Sequence, residues 1–306
     1  MSTPAPSPAA TPRVLVAVLN YGTPDDAVET VGFLQRQDYP SFHLRLVDNA
    51  SPGDCAAELR RRLPGVDIEV TDRNLGYAGG NNHLMERGLA EGYDYVALCN
   101  PDIEVAPDAV RRLVETAERH PDAGVVGGVE VCHFTGEVRA VRGDGFSLWK
   151  ARVRWSPELP RDGEAVAADY VQGAMVLVSR RMLEAGIRLN EELFMYYDEP
   201  DLGFALEAAG LRAYVDPRVV VRHKNVAKLF NARAGYLHQR NRVYMVRRYG
   251  KWYHRVAFHL GVGLVELPLK VTLRTLQGRW RFSRACLLGY VDGIAGRMGP
   301  GRSGTV

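Results

Sequence analysis

A few short stretches carry side chains whose types and spacing could do chemistry. At Asn100-Pro101-Asp102 an apolar run, Tyr95 to Cys99, ends in an amide and a carboxylate. One Asp beside one Asn suits a hard, oxygen-seeking divalent ion, Mg2+ or Mn2+, which takes one or two protein carboxylates and fills its other positions with substrate phosphates. At Tyr196-Tyr197-Asp198-Glu199-Pro200-Asp201 three carboxylates gather where a helix begins, a place where the helix dipole favours negative charge. A cap needs only one of them, so a carboxylate there could be a general base. His223 closes the apolar "VVVRHKN"; a lone His is more often structural, but a neutral imidazole could complete a metal shell. Asp48-Asn49 and the glycine-rich Asn74 to Asn82 form the fourth group. A strand-end carboxylate can accept hydrogen bonds from a base or ribose, and a Gly-rich turn opening a helix leaves backbone N–H groups to face an anion. The spacing is neither the dinucleotide fingerprint nor a P-loop, whose Gly-Lys-Ser/Thr ending is missing. Each group has a plainer alternative: Asn, Asp and Gly form turns, and Asp102 could serve as a cap or Asx turn.

These side chains need elements to position them. Arg13–Asn20, His43–Asp48, Val66–Thr71, Tyr93–Cys99 and Gly124–Val131 have strand character. Helical segments lie between them: Pro24 to about Arg36, one starting at Ser51-Pro52, Gly80 to Ala90, and Pro107 to Arg119. This β-α-β-α order predicts an α/β fold with a mainly parallel sheet covered on both faces. Ligands of such sheets sit beyond the carboxyl ends of the strands. Four successive strand ends carry polar groups (Asn20-Tyr21-Gly22, Asp48-Asn49, Asn74-Leu75-Gly76 and Asn100-Pro101-Asp102), which implies one shared crevice. Phe134 to Ala168 predicts long loops or a small ribbon. Tyr170–Ser179 predicts a strand, Arg180–Ala185 and Glu199–Ala209 helices, and Leu211–Val215 and Val219–Arg222 short strands. Asn231–Tyr249 and Tyr253–Leu276 are helical, the latter with a kink at Pro268.

The chain has 306 residues, 46% apolar and 25% charged, which is ordinary for a soluble globular protein and enough for more than one structural unit. From Pro217 onward there are 18 of the 39 Lys and Arg residues but only 2 of the 36 Asp and Glu residues. A basic C-terminal third on an acidic body suggests that it faces something anionic. The candidates are a membrane surface met by Lys, Arg and an amphipathic helix from about His254 to Leu276, the phosphates of a substrate, and a solvated face or oligomer contact; nucleic acid fits poorly, because the body is acidic and no recognition motif is present. No 18-residue uncharged apolar run exists, so no spanning helix is expected; Val256–Leu273 is interrupted by His259, Glu266, Pro268 and Lys270. Cys55, Cys99, Cys132 and Cys286 are scattered, which speaks against a disulfide framework and for a reducing, cytoplasmic setting. The first 12 residues suggest a disordered Pro/Ala/Ser leader, 13–224 a catalytic unit divided at 132, and 225–306 a basic helical region.

Taken together and in order, "VAVLNYG", "LVDNAS", "NLGYAGGNN", "LCNPD", "VQGAMVLVSRR", "LFMYYDEPDLGFALEAAG" and "VVRHK" resemble the inverting glycosyltransferases of family 2, with the GT-A fold, and especially their rhamnosyltransferase-like branch. The resemblance covers Val14 to Lys224. It implies that Asn20, Tyr21, Asp48 and Asn49 bind the base and ribose of a nucleotide-diphosphate sugar, UDP- or dTDP-linked. Asn74, Gly76, Gly80, Asn81 and Asn100 would flank the nucleoside and sugar. Asp102 and His223 would bind Mn2+ or Mg2+, with Asn100 standing where some members have the first Asp of a DxD motif. The family's catalytic Asp falls on Glu199, with Asp198 before it, since "YYEDVDL" is here "YYDEPDL". Gln172, Gly173, Tyr197 and Asp201 would form the acceptor side. The implied acceptor is a hydroxyl of a glycan, a lipid-linked sugar or a natural product, with peripheral contact at the inner membrane face and a homo-oligomer as further expectations. A sugar nucleotidyltransferase and a non-catalytic nucleotide-sugar-binding protein are the rival readings. The first would need a basic Gly-rich loop after the first strand, where "LNYGTPDDAV" has no Lys or Arg.

Overall fold

A computed structural model describes residues 11–159, 163–224 and 231–301. The first two thirds supply a ten-stranded sheet. β1 (Val14–Asn20), β2 (Phe42–Asp48), β3 (Asp67–Val70) and β4 (Tyr95–Cys99) alternate with α1 (Pro24–Leu34), α2 (Cys55–Arg62) and α3 (Gly76–Ala90). Then follow β5 (Ile103–Val105), α4 (Ala109–Arg119), β6 (Ala123–Cys132) and β7 (Val138–Ala140). A separate two-stranded ribbon is formed by β8 (Arg142–Ser147) and β9 (Arg152–Ser156). β10 (Val166–Ala168), β11 (Met175–Ser179), α5 (Arg180–Glu184), α6 (Asp198–Ala208) and β12 (Arg212–His223) complete this part.

The spatial order is β10-β12-β6-β11-β4-β1-β2-β3, with β5 on β12 and β7 on β6. The pairs β3-β2, β2-β1 and β1-β4 are parallel; β11 runs antiparallel between β4 and β6, and β12 pairs parallel with β6. The sheet is therefore mixed, and its reversal at β11 has a consequence. The turn before β11 is brought beside the carboxyl end of β4, with Met175 opposite Cys99. All seven residues of β1 are buried, as expected of a strand covered on both faces. Val14, Val16 and Val18 point to the α1, α2 and α4 layer, and Leu15, Ala17 and Leu19 to the α3, α5 and α6 layer.

Local differences from the expected elements have identifiable causes. α3 begins four residues early, at Gly76, and α2 four residues late, because Ser51 is spent on Asp48. The two short strands expected at 211–222 are one strand, β12, with a register irregularity between Val215 and Val220. The C-terminal region holds α7 (Ala232–Tyr249) and a continuous helix, Trp252–Leu276, composed of α8 (Trp252–Phe258), a π-helical stretch His259–Glu266 and α9 (Leu267–Leu276). Widened turns directly before Pro268 accommodate a ring and a missing N–H that would otherwise break an α-helix. By length and composition alone this helix could cross a membrane, at mean hydropathy 1.5 over its best window, although its sequence has no uncharged run of 18 apolar residues. α10 (Trp280–Ile294), which the sequence did not announce, packs on α7. Gly289 and Gly293 make this approach feasible: a Cβ at Gly289 would lie 2.1 Å from the Tyr236 carbonyl oxygen. The four cysteines are unpaired and buried. The leader, but for its last two residues, and positions 225–230 of the basic region lie outside the described residues.

Candidate active site

The ends of β1 and β2 are tied together first. Asn20 and Asp48 are opposite each other in the parallel register, and the Asn20 amide donates to Asp48 Oδ1 at 2.8 Å. The Ser51 hydroxyl (2.5 Å) and backbone N–H (3.1 Å) also donate to Asp48, which is almost wholly buried. Tyr21, by contrast, stands exposed beside them. Asn49 faces inward: its amide donates to the Gly76 carbonyl at 3.0 Å, and its oxygen accepts from Leu75 N–H at 3.0 Å and from Thr71.

The glycine-rich turn differs from its expected role. The amides at the start of α3 are not free for an anion. Gly76 N–H donates to Asn74 Oδ1 (2.8 Å), while Tyr77 N–H (2.7 Å) and Ala78 N–H (3.4 Å) converge on the Phe194 carbonyl. Gly80 lies inside the helix, where a Cβ would strike Leu19, and the buried Asn81 donates to its own helix at Tyr77. The turn therefore docks the segment that carries the acidic cluster. Gly76 has φ +76°, and a Cβ there would sit 2.4 Å from the Phe194 oxygen. Gly76→Ala is expected to cost about 3 kcal/mol, from left-handed strain plus overlap, read as a lowered denaturation midpoint. An unchanged midpoint would show that the docking does not matter.

Phe194, Tyr196 and Tyr197 all have φ between 64° and 72°, a conformation that residues with a Cβ seldom adopt. Buried side chains of α7 hold them there. Asn241 donates to the carbonyls of Leu193 (3.1 Å), Met195 (2.9 Å) and Tyr196 (2.9 Å). Arg240, fully buried, donates to Leu193 (2.7 Å), to Glu192 (3.3 Å) and to Gly299. Asn82 on α3 bonds the Leu189 backbone on both sides. Arg240 and Asn241 were not singled out from the sequence, and Asn82 was read only as part of the glycine-rich turn; the available hint was an adjacent Arg-Asn pair inside a helix.

The clamp places α6 with its carboxylates at the dipole's positive end. Asp201 accepts from Tyr249 Oη at 2.8 Å, and the Tyr197 hydroxyl donates to the Ala151 carbonyl at 3.2 Å, so both of these acceptor-side candidates have structural partners. Asp198 is 2% exposed and its Oδ1 has no partner. Burial, together with the charges of Glu199 and Asp201, pushes its carboxyl well above the ordinary range. Glu199 is half-buried against Gly173; burial raises its carboxyl, the nearby Glu130 charge adds to this, and backbone hydrogen bonds, one from Gly173, oppose it. Tyr77 Oη donates to the Gly173 carbonyl at 2.8 Å, and burial and the two acids push its phenol up. Gln172 is half-buried in the same turn.

That turn is the bridge to the other cluster. The Asn100 backbone N–H donates to the Ala174 carbonyl at 2.9 Å. His223, at the end of β12, holds Asp102 Oδ1 with Nε2 (3.0 Å) and Glu130 Oε1 with Nδ1 (3.0 Å), and Asn100 Nδ2 lies 3.4 Å from Nε2. Burial lowers the proton affinity of His223, but the hydrogen bonds and charges of Asp102 and Glu130 outweigh it and bring the pKa up to about 9. Two anions facing one imidazole would equally favour a divalent cation at Nε2, with Nδ1 kept by Glu130 in the arrangement typical of metal-ligating histidines. Asp102 and His223 thus fit such an ion as protein ligands. Among the described residues no group of three or more His, Cys, Asp or Glu side chains could hold a metal unaided, so substrate oxygens would have to complete the shell. Glu130 was missed from the sequence; its signal was a lone carboxylate in the apolar run "GVVGGVEV". A cleft of about 630 Å3 begins at Pro200 and follows α6 to Arg212, outside the donor strand ends.

Residues 12–245 match the family described as Glycosyltransferase like family 2. An N-acetylglucosaminyl-diphospho-decaprenol L-rhamnosyltransferase of Mycobacterium tuberculosis is 27% identical over 204 residues, 58% of this chain and 66% of its own length. Among solved structures, GalNAc-T7 with UDP, GalNAc and Mn2+ superposes at TM-score 0.60 with 13% identity, over 70% of this chain and 44% of that one. The mannosyltransferase PcManGT of Pyrobaculum calidifontis, in complex with GDP-Man and Mn2+, superposes at 0.57 with 17% identity, over 95% and 89%. The sheet is that of the GT-A glycosyltransferases. With the match extending over most of its length, the chain belongs to the family 2-like glycosyltransferases.

Proposed function

We propose that the chain moves a sugar, rhamnose or another hexose, from a UDP- or dTDP-linked donor to a hydroxyl of a glycan, lipid-linked or natural-product acceptor, with inversion. The observation that carries this is the joining of two clusters, Asp102–His223–Glu130 and Glu199–Gly173–Tyr77, through the Asn100–Ala174 backbone contact. Glu199 takes the acceptor's hydroxyl proton. The oxygen forms a bond to the anomeric carbon from the face opposite the leaving group, and the diphosphate departs with the electron pair. A single base suffices, unlike the two carboxylates of a retaining glycosidase. A Mn2+ or Mg2+ ion held by Asp102 and His223 would supply positive charge to the departing diphosphate. Burial raises the carboxyl of Asp198, the more deeply buried acid, further than that of Glu199, which makes Glu199 the more readily ionised of the two. The reaction belongs in the cytoplasm, at the inner membrane face where the acceptor is lipid-linked.

The direct test incubates the purified chain with Mn2+ and UDP-, dTDP- and GDP-sugars, with and without lipid-linked acceptors, and follows nucleotide diphosphate release and the product's anomeric configuration. No turnover with any donor, and no thermal shift with any nucleotide, would refute the reading. Because the carboxyl of Glu199 is raised, kcat/KM is expected to fall with decreasing pH through an apparent pKa above the 4.5 of an ordinary glutamate. A pH–rate profile flat down to that value would argue against Glu199 as base.

A further inference from the structure

The C-terminal helices carry an apolar face that the sheet does not cover. On Trp252–Leu276 the residues Val256, Leu260, Leu264, Leu269, Leu273 and Leu276 are all at least half exposed, and only 17% of the helix's most apolar window is buried. Leu287, Val291 and Ile294 form a second exposed stripe on α10, which packs against α9. Exposed tryptophans, Trp252 and Trp280, stand at the two helix starts, and Trp149 of the ribbon adjoins Tyr253 and His254. Isolated exposed leucines need no explanation, but a contiguous set of this size marks an interaction surface.

We infer that this face lies in the plane of an anionic bilayer, its leucines in the acyl boundary and its basic residues among the headgroups. Charge selects this partner. The only two acids after Pro217 are turned away: Glu266 is paired with Arg242 (2.7 Å) and Arg152 (3.0 Å), and Asp292 is fully buried against Tyr236 and Arg297. Lys251, Arg281 and Arg284 remain on the exposed side. A second copy docked face to face would meet the same positive charge, whereas anionic lipid complements it. Tryptophan at the ends of an apolar stripe suits the interface, where amphipathic rings are stable. Contacts along the length of the long helix fix it parallel to the surface rather than across the bilayer. Phe258, Val262 and Leu267 are buried under it, His259 meets Tyr290 at 2.6 Å, and Glu266 holds the bridge to α7. An in-plane helix with one protein-bound face and one lipid face is the expected form. The inference stands apart from sugar transfer, since lipid binding needs no turnover.

The test uses the full chain in flotation with vesicles of phosphatidylcholine alone and of phosphatidylcholine with one third phosphatidylglycerol. Wild type is expected to float with the anionic vesicles at least tenfold more than with the neutral ones, with a blue shift of tryptophan emission and release by carbonate. Leu260→Asp with Leu264→Asp, both at exposed sites, is expected to abolish flotation at an unchanged melting temperature. Lys251→Gln with Arg281→Gln and Arg284→Gln should remove the preference for anionic lipid. Equal flotation of the Leu variant and wild type, retention after carbonate as for a spanning helix, or a solution dimer that the Leu variant dissociates would each overturn the inference.

Discussion

Glu199→Gln is expected to lower turnover by about a thousandfold while donor binding, followed by nucleotide thermal shift, stays within about twofold. The magnitude is that of removing a positioned general base. The substitution keeps size and polarity at the Gly173 contact, so the loss would belong to proton transfer and not to packing. Asp198→Asn provides the contrast. Asp198 sits in a wholly buried position with one unpartnered oxygen, and burial pushes its carboxyl well above the ordinary range, so an amide of the same shape replaces it at little cost. Its activity is expected to remain within about fivefold of wild type. The opposite ranking, a mild Gln at Glu199 and a dead Asn at Asp198, would transfer the role of base to Asp198 and show that burial was not what decided between them. Equal cellular effects of both variants and wild type would instead favour a non-catalytic binding protein.

The carboxylate's reach depends on residues far from it in sequence. Asn241→Ala would take this donor from the carbonyls of Met195 and Tyr196, while Leu193 keeps Arg240, at a cost of about 2 kcal/mol in stability. If Asn241 positions the base, kcat also falls while KM for the donor does not, because Asp48 and Asn20 are untouched. A purely structural residue would lower the amount of folded enzyme and leave both constants of that fraction unchanged.

Much of this site was legible because strand ends announce themselves. Asn20, Asp48 and Asn100-Pro101-Asp102 end apolar runs of the right length, and a covered parallel sheet must deliver such residues to one edge. His223 was legible in the same way, as the last residue of an apolar strand. Glu130 was not, since it interrupts a buried strand in its interior, and nothing local says that an imidazole will come to meet it. The glycine-rich turn was read with the wrong partner. Glycine permits close approach of any acceptor, and only the tertiary structure shows that the Phe194 carbonyl, rather than a phosphate, takes the amides of Tyr77 and Ala78. α10 escaped notice because Gly289 and Gly293 lower helix propensity, yet those glycines are what lets it pack on α7.

Asp102→Asn is expected to lower kcat/KM by about a hundredfold to a thousandfold, equivalent to about 3–4 kcal/mol of charge stabilisation. His223 and Asp102 are the two protein groups in contact where the diphosphate would lie, and Asn100 contributes no charge, so Asp102 supplies the only carboxylate of that pair. Part of the loss should be recovered at higher Mn2+. Glu130→Gln gives an independent check because it touches no ligand. It keeps a hydrogen-bonding group at His223 Nδ1 but removes a negative charge that raises the imidazole's basicity, so apparent Mn2+ affinity should drop tenfold to a hundredfold with kcat at saturating metal little changed. A metal titration of activity separates the two: a shifted midpoint for Glu130→Gln, a lowered plateau as well for Asp102→Asn. If both variants titrate like wild type, or if the wild-type chain is fully active in excess chelator, the Asp102–His223 contact is an ordinary ion pair and the diphosphate must be neutralised by the basic residues of the C-terminal third.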